Sequence, residues 1–75
     1  MENSKAEALL QAAIKCDAAM GQEDKIASLV RKMIDGTSTT ARMSLLWTIS
    51  DVSGNSDANV RLAIQELHSC LMDYQ

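Results

Sequence analysis

The sequence predicts an all-α protein: a small antiparallel bundle of about four short helices, with residues 1–75 forming a single domain. The chain has no proline and three glycines, which favours helices. Apolar residues make up 47% of the chain and recur at helical spacing, whereas aromatic residues, which are typical of strands, make up 3%. A chain of 75 residues buries only about 60% of the surface that it exposes when unfolded. We therefore expect a marginally stable monomer that gains from forming a homodimer.

The first helix is predicted over residues 4–20. Ser4 and Glu7 have the spacing of a capping box, in which each side chain accepts a hydrogen bond at the start of the helix. Gly21 follows where a helix end needs a positive φ. The predicted buried face is rich in alanine: Ala6, Leu9, Leu10, Ala13 and Ile14. Because alanine buries little area, we expect this helix to be the least firmly docked.

The second helix is predicted over residues 23–35. Glu23 and Asp24 lie at its start and suit the positive end of the helix dipole, and Gly36 marks its end. Its apolar residues follow the i, i+3, i+4, i+7, i+8 template at every position: Ile26, Leu29, Val30, Met33 and Ile34. This regular stripe predicts a core helix.

The third helix is predicted over residues 40–53, after a polar loop of residues that often cap helices. It is apolar on two faces. Met43 and Trp47 lie on a face next to the one that the sequence assigns to the core, namely Leu45, Leu46, Ile49 and Val52. Two interpretations are open: Trp47 closes the rim of the monomer core, or the second face forms an intermolecular seam with Leu62 or Met72. Interfaces are enriched in Trp and Met, which favours the seam.

The fourth helix is predicted over residues 56–73, with Asn55 or Ser56 as its N-cap and Asp57 in its first turn. Its core stripe is predicted as Val60, Ala63, Ile64, Leu67 and Leu71. Leu62 and Met72 lie off this stripe. With Met43 and Trp47 they form our candidate partner or dimer interface.

No constellation of catalytic residues is visible, so we expect a protein that is not an enzyme and has no catalytic, cofactor-binding or metal-binding residues. His68 is the only histidine, which excludes a His-based triad or a pair of imidazole ligands within one chain. Cys16 and Cys70 are far apart in sequence and are expected to be reduced and unlinked. The Asp and Glu residues are spaced as solvated charges.

Ten acidic and seven basic residues give a net charge of −3, which disfavours nonspecific binding to nucleic acid. A basic patch formed by Arg31, Lys32 and Arg42 would be the only feature that attracts phosphate. The sequence contains neither a leader-like apolar segment nor a run long enough to span a bilayer. These features predict a cytoplasmic protein with no membrane partner.

The stretch "DKIASLVRKMIDGTSTTARMSLLWTIS" resembles the YmgB/AriR biofilm-development family of small enterobacterial connector proteins. The similarity lies in an "I-x-x-L-V-x-x-M-I" helix, an Asp-Gly stop, a polar loop and an "M-S-L-L" helix, within residues 6–72. The resemblance implies a small, dimeric, all-α protein that connects to a phosphorelay and influences biofilm and acid-stress genes. The matching positions are structural: Ile26, Leu29, Val30, Met33, Ile34, Gly36, Leu45 and Leu46.

The leading hypothesis is therefore a small regulatory protein that docks onto another protein, such as a response regulator. A DNA-associated transcription modulator is the first alternative, and it rests on the basic patch. A mobile-element-encoded inhibitor or chaperone of a host protein complex is the second.

Overall fold

The computed structural model describes residues 3–74, which form four α-helices with no strand among them. The helices are α1 (Ser4–Ala19), α2 (Lys25–Asp35), α3 (Ala41–Val52) and α4 (Ala58–Asp73). Every helix end lies within two residues of its predicted position. The all-α bundle predicted from the sequence is confirmed.

The helices pack in a closed ring: each lies against the next along the chain, and α4 lies against α1, whereas no Cα atoms of the diagonal helix pairs come within 8 Å of each other. α1 and α4 are antiparallel, because Lys5 pairs with Asp73 at one end of this helix pair and Lys15 pairs with Glu66 further along it. The core lies inside the ring and takes side chains from all four helices, including Leu9, Ile26, Leu45 and Ile64.

The helix N-termini differ from the sequence predictions. Asn3, not Ser4, caps α1: its Oδ1 accepts a hydrogen bond from the Ala6 backbone N–H at 3.2 Å, so the predicted capping box is wrong. Asp57, not Asn55 or Ser56, caps α4 and accepts a bond from the Asn59 backbone N–H at 2.9 Å. The neighbouring side chains had suitable chemistry, and the backbone geometry of each turn selected between them.

The buried face of α1 is rotated from the predicted one. Leu10 is only partly buried and Ile14 is exposed, and the buried residues are instead Ala6, Leu9, Ala12, Ala13, Cys16 and Asp17. α1 contributes more buried residues than any other helix, so the expectation that it is the least firmly docked is also wrong. Small side chains let neighbouring helices approach closely. The Cys16 thiol donates a hydrogen bond to the Ala63 carbonyl oxygen of α4 at 3.1 Å.

Asp17 is a buried carboxylate, 3% exposed, which corrects the expectation that all acidic residues are solvated. Its Oδ1 accepts hydrogen bonds from the Ile26 backbone N–H at 3.0 Å and the Gln22 side chain at 2.8 Å. Its Oδ2 accepts from the Ala27 backbone N–H at 3.0 Å. Asp17 therefore caps the start of α2 from another helix.

This remote cap matters because α2 lacks a cap of its own. Asp24 occupies the N-cap position with a left-handed backbone (φ 32°), and its side chain makes no capping hydrogen bond. Without Asp17, the first N–H groups of α2 would be buried without a partner, which is costly. The negative charge of Asp17 also suits the positive end of the α2 dipole.

We predict that Asp17→Asn lowers the free energy of unfolding by about 2–4 kcal/mol, since an amide keeps the shape but turns a donor toward a backbone N–H. Urea denaturation followed by circular dichroism measures the change. Asp35→Asn, at an exposed carboxylate near the end of α2, is the matched control and should stay within about 0.5 kcal/mol of the wild type. Equal stabilities of the two variants would show that Asp17 is not the cap on which α2 depends.

Candidate interaction surface

α3 carries apolar side chains on two opposite faces. Its inner face, formed by Ala41, Leu45 and Ile49, is buried in the core. Its outer face holds a shallow depression of about 260 Å³. We call the four residues that line this depression the outer stripe: Met43, Leu46, Trp47 and Ser50. Their spacing of i, i+3, i+4, i+7 places them along one side of the helix.

Trp47 is 70% exposed and Met43 is 60% exposed. Of the two interpretations of Trp47, the one in which it closes the rim of the monomer core is therefore wrong. Leu45, Leu46 and Ile49 do pack with the core, as predicted, although Leu46 is only partly buried and also lines the outer depression. Trp47 is two residues from both Leu45 and Ile49, so the helical rotation of about 100° per residue places its side chain on the opposite side of α3 from these buried residues.

The other two candidate interface residues lie on α4. Leu62 is 63% exposed and Met72 is 42% exposed. Neither lines the depression on α3. The structure thus places all four candidate residues at the surface but gathers only Met43 and Trp47 into one depression. That Leu62 and Met72 belong to the same interface stays a prediction.

The three residues of the predicted basic patch are divided between α2, which holds Arg31 and Lys32, and α3, which holds Arg42. Arg31 Nη1 is 3.5 Å from the Asp24 Oδ2, so this cation is partly neutralised by an acidic neighbour. Lys32 is exposed near the end of α2, and Arg42 is half-buried in the first turn of α3. A joint role of these three residues in binding phosphate stays a prediction.

A second groove, not anticipated from the sequence, lies between α2 and α3 and has a volume of about 350 Å³. The half-buried Leu29 and Val52 contribute apolar surface, and Lys25 and Asp51 contribute opposite charges. Met20, from the turn after α1, also lines it. The helical spacing did indicate that Leu29 faces the interior. Which side of α2 stays accessible to solvent, however, depends on how α3 packs against it.

Both thiols are free and neither is activated. Burial, followed by the nearby charges of Asp17 and Glu66, raises the pKa of the Cys16 thiol to about 11. Burial and the charges of Glu66 and Asp73 also raise the pKa of Cys70. A nucleophilic cysteine needs the opposite shift, so these thiols act as small apolar residues.

His68 is exposed, and within residues 3–74 no group of three or more His, Cys, Asp or Glu residues is arranged to hold a metal ion. None of the helices in this part of the chain is long and apolar enough to cross a membrane. The outer stripe of α3 is therefore the surface feature that most needs a physical explanation.

Comparisons with family models, curated proteins and solved structures give no match to this chain.

We predict that iodoacetamide at pH 8 labels Cys70 first and that Cys16 reacts only when the protein unfolds. A pKa of about 11 in place of 9.0 lowers the thiolate fraction of Cys16 by about 100-fold at this pH, and burial limits access further. Mass spectrometry of peptides after timed labelling measures both rates, with the urea-unfolded chain as the control. Rapid native labelling of Cys16 would contradict its placement between α1 and α4.

The Cys16 thiol also predicts an alkaline limit to stability. Because its pKa is raised in the folded state, its contribution is fully present below pH 9 and is lost as the pH rises through about 11. The free energy of unfolding of the wild type should therefore fall more steeply between pH 9 and 11 than that of Cys16→Ala. Urea titrations at several pH values measure both slopes. If the free energy of unfolding fell equally with pH in both proteins, the Cys16 thiol would be solvated in the folded state.

Proposed function

We propose that this protein is a small non-catalytic regulatory protein that acts by docking onto another protein, with the outer stripe of α3 as its docking surface. The observation that carries the proposal is the exposure of Trp47, the only tryptophan of the chain. Tryptophan is usually well buried in a folded protein and is enriched at the centres of protein interfaces.

Energetics support this assignment. Complete burial of a large apolar side chain is worth about 1.5–3 kcal/mol, and most of that gain is unrealised at Trp47 and Met43 in the monomer. A small domain has little stability to forgo, because native proteins are stable by only about 5–15 kcal/mol. Contact with a partner recovers this free energy. Exposed apolar clusters on soluble proteins are accordingly typical of binding sites.

The chemistry of the other side chains also favours binding over catalysis. The two thiols have raised pKa values, and the single imidazole, His68, is solvent-exposed. Direct binding to DNA draws less support, because the net charge is −3 and Arg31 lies beside Asp24. A phosphate-driven complex would weaken steeply with salt, so gel shifts at several salt concentrations distinguish this alternative.

The sequence resemblance to YmgB/AriR-type connectors favours a phosphorelay component, such as a response regulator, as the docking target. In that case the protein acts in the cytoplasm and alters the output of the phosphorelay on biofilm or stress genes. In the alternative in which the protein is an inhibitor or chaperone of a host protein complex, it would use the same docking surface to bind a different target.

We predict that a photo-reactive benzoylphenylalanine in place of Trp47 cross-links the protein to its target in the native cell. The same residue in place of Ile14 is the matched control, because Ile14 is also a large exposed apolar residue but lies on α1, which is diagonally opposite α3 in the ring. Mass spectrometry of the adducts identifies the target. A third substitution at Leu62 tests whether the surface extends onto α4.

A target that cross-links at position 47 and not at position 14 is the expected result. Equal cross-linking from both positions would indicate nonspecific contact. An absence of heterologous adducts from position 47 would contradict docking of a target through this face.

A further inference from the structure

The groove between α2 and α3 has an apolar floor and the size of a small-molecule site. Ile26 is buried in this floor, and Leu29 and Val52 are half-buried beside it. Its volume of about 350 Å³ lies at the lower end of the range for ligand pockets, about 300–1,000 Å³. A single turn of a partner helix already occupies on the order of 500 Å³. The groove therefore suits a small molecule better than a helix.

A third side of the groove comes from the turn after α1, and hydrogen bonds hold this side in place. The Gln22 side-chain nitrogen donates to Asp17 Oδ1 at 2.8 Å and to the Met20 sulfur at 3.8 Å. The Gln22 backbone N–H donates to the Asp17 carbonyl oxygen at 2.9 Å. No described residue donates to the Gln22 side-chain oxygen, Oε1, so this atom can accept a bond from a ligand. Ligand sites are usually preformed in this way.

Two opposite charges line the groove, Lys25 on α2 and Asp51 on α3. Within the described part of the chain, the side chain of neither residue forms an ion pair or a hydrogen bond. Lys25 is the first residue of α2, at the positive end of the helix dipole, and Asp51 lies in the last turn of α3, at the negative end. The stability of its own helix therefore explains neither charge. Proteins break such local rules mainly at functional sites.

This arrangement fits a ligand that carries both charges and an apolar body. A carboxylate complements the Lys25 ammonium, and an ammonium complements the Asp51 carboxylate, with Gln22 Oε1 as a second acceptor. A ligand with one charge would satisfy one helix and leave the charge on the other without a partner. An α-amino acid with an aliphatic side chain combines all three features and is small enough for the groove.

We propose that the groove between α2 and α3 binds an apolar α-amino acid, such as leucine, as its zwitterion. The carboxylate binds Lys25, the ammonium binds Asp51, and the aliphatic side chain packs on Ile26, Leu29 and Val52. The proposal goes beyond the proposed docking function, because none of these residues belongs to the outer stripe. Both charged residues are exposed, and exposed ion pairs contribute little, so the dissociation constant is on the order of 1 mM.

A titration of the ¹⁵N-labelled protein with leucine, followed by NMR, tests the binding. Leucine should shift the amide signals of the first turn of α2, the last turn of α3 and residues 20–22, and the shifts should saturate. N-acetylleucine, which lacks the ammonium, and isopentylamine, which lacks the carboxylate, should each bind at least about threefold more weakly. Equal binding of leucine and these two analogues would overturn the proposal. So would the absence of saturable shifts in the groove at about 20 mM leucine.

Two variants test which residue binds which charge of the ligand. Lys25→Gln and Asp51→Asn each remove a charge that opposes a helix dipole, so both should retain the fold. Asp51→Asn should weaken the binding of leucine about threefold and leave that of N-acetylleucine unchanged. Lys25→Gln should weaken the binding of leucine to a similar extent and leave that of isopentylamine unchanged.

The matched controls are Lys32→Gln and Asp35→Asn, which remove exposed charges of α2 outside the groove. Both should bind leucine as the wild type does. If the control variants weakened the binding of leucine as much as Lys25→Gln and Asp51→Asn, recognition by these two groove residues would be wrong. Retention of full leucine binding by both groove variants would also overturn the proposal.

Discussion

The carboxylate of Asp17 is the interaction on which the rest of the bundle depends. α2 starts after a left-handed residue, Asp24, that supplies no cap, so the buried N–H donors of its first turn are satisfied by Asp17 of α1. The Gln22 side chain donates to the same carboxylate and holds the connecting turn in place. This cluster fixes where α2 begins relative to α1. α3 packs on α2, so the position of α3 follows from the same contact.

Close packing of α1 with α4 closes the ring from the other side. Small residues on the buried face of α1 let α4 approach until the Cys16 thiol reaches the Ala63 carbonyl oxygen. The exposed ion pairs of Lys5 and Lys15 with α4 lie at the surface and add little to stability. The packing of α1 against α4 depends more on the many dispersion contacts between closely packed small side chains than on the size of any one residue. An alanine-rich helix can therefore be the best-buried one.

With the interior filled in this way, the outer side of α3 has apolar side chains and no place in the monomer for them. The same helix must therefore stabilise the monomer through Leu45 and Ile49 and present Trp47 outward. Such a division links folding to association, because any partner that binds only the folded chain also stabilises it.

The sequence by itself determined the four helices and, to within two residues, their ends, because glycine stops and apolar spacing act between residues a few positions apart. Gly21 adopts the predicted positive φ, Gly36 follows α2 as predicted, and the stripe of α2 packs on the core as expected. The sequence also singled out Met43 and Trp47 as a second apolar face.

The tertiary structure decided which side of α1 is buried, because that depends on how closely α4, more than 40 residues away in sequence, approaches Cys16. It also decided that Asp17 is a cap and not a solvated charge, since its partners lie on another helix. Finally, it decided that Trp47 is exposed and does not close the rim of the core, because the exposure of a second face depends on where the neighbouring helices pack.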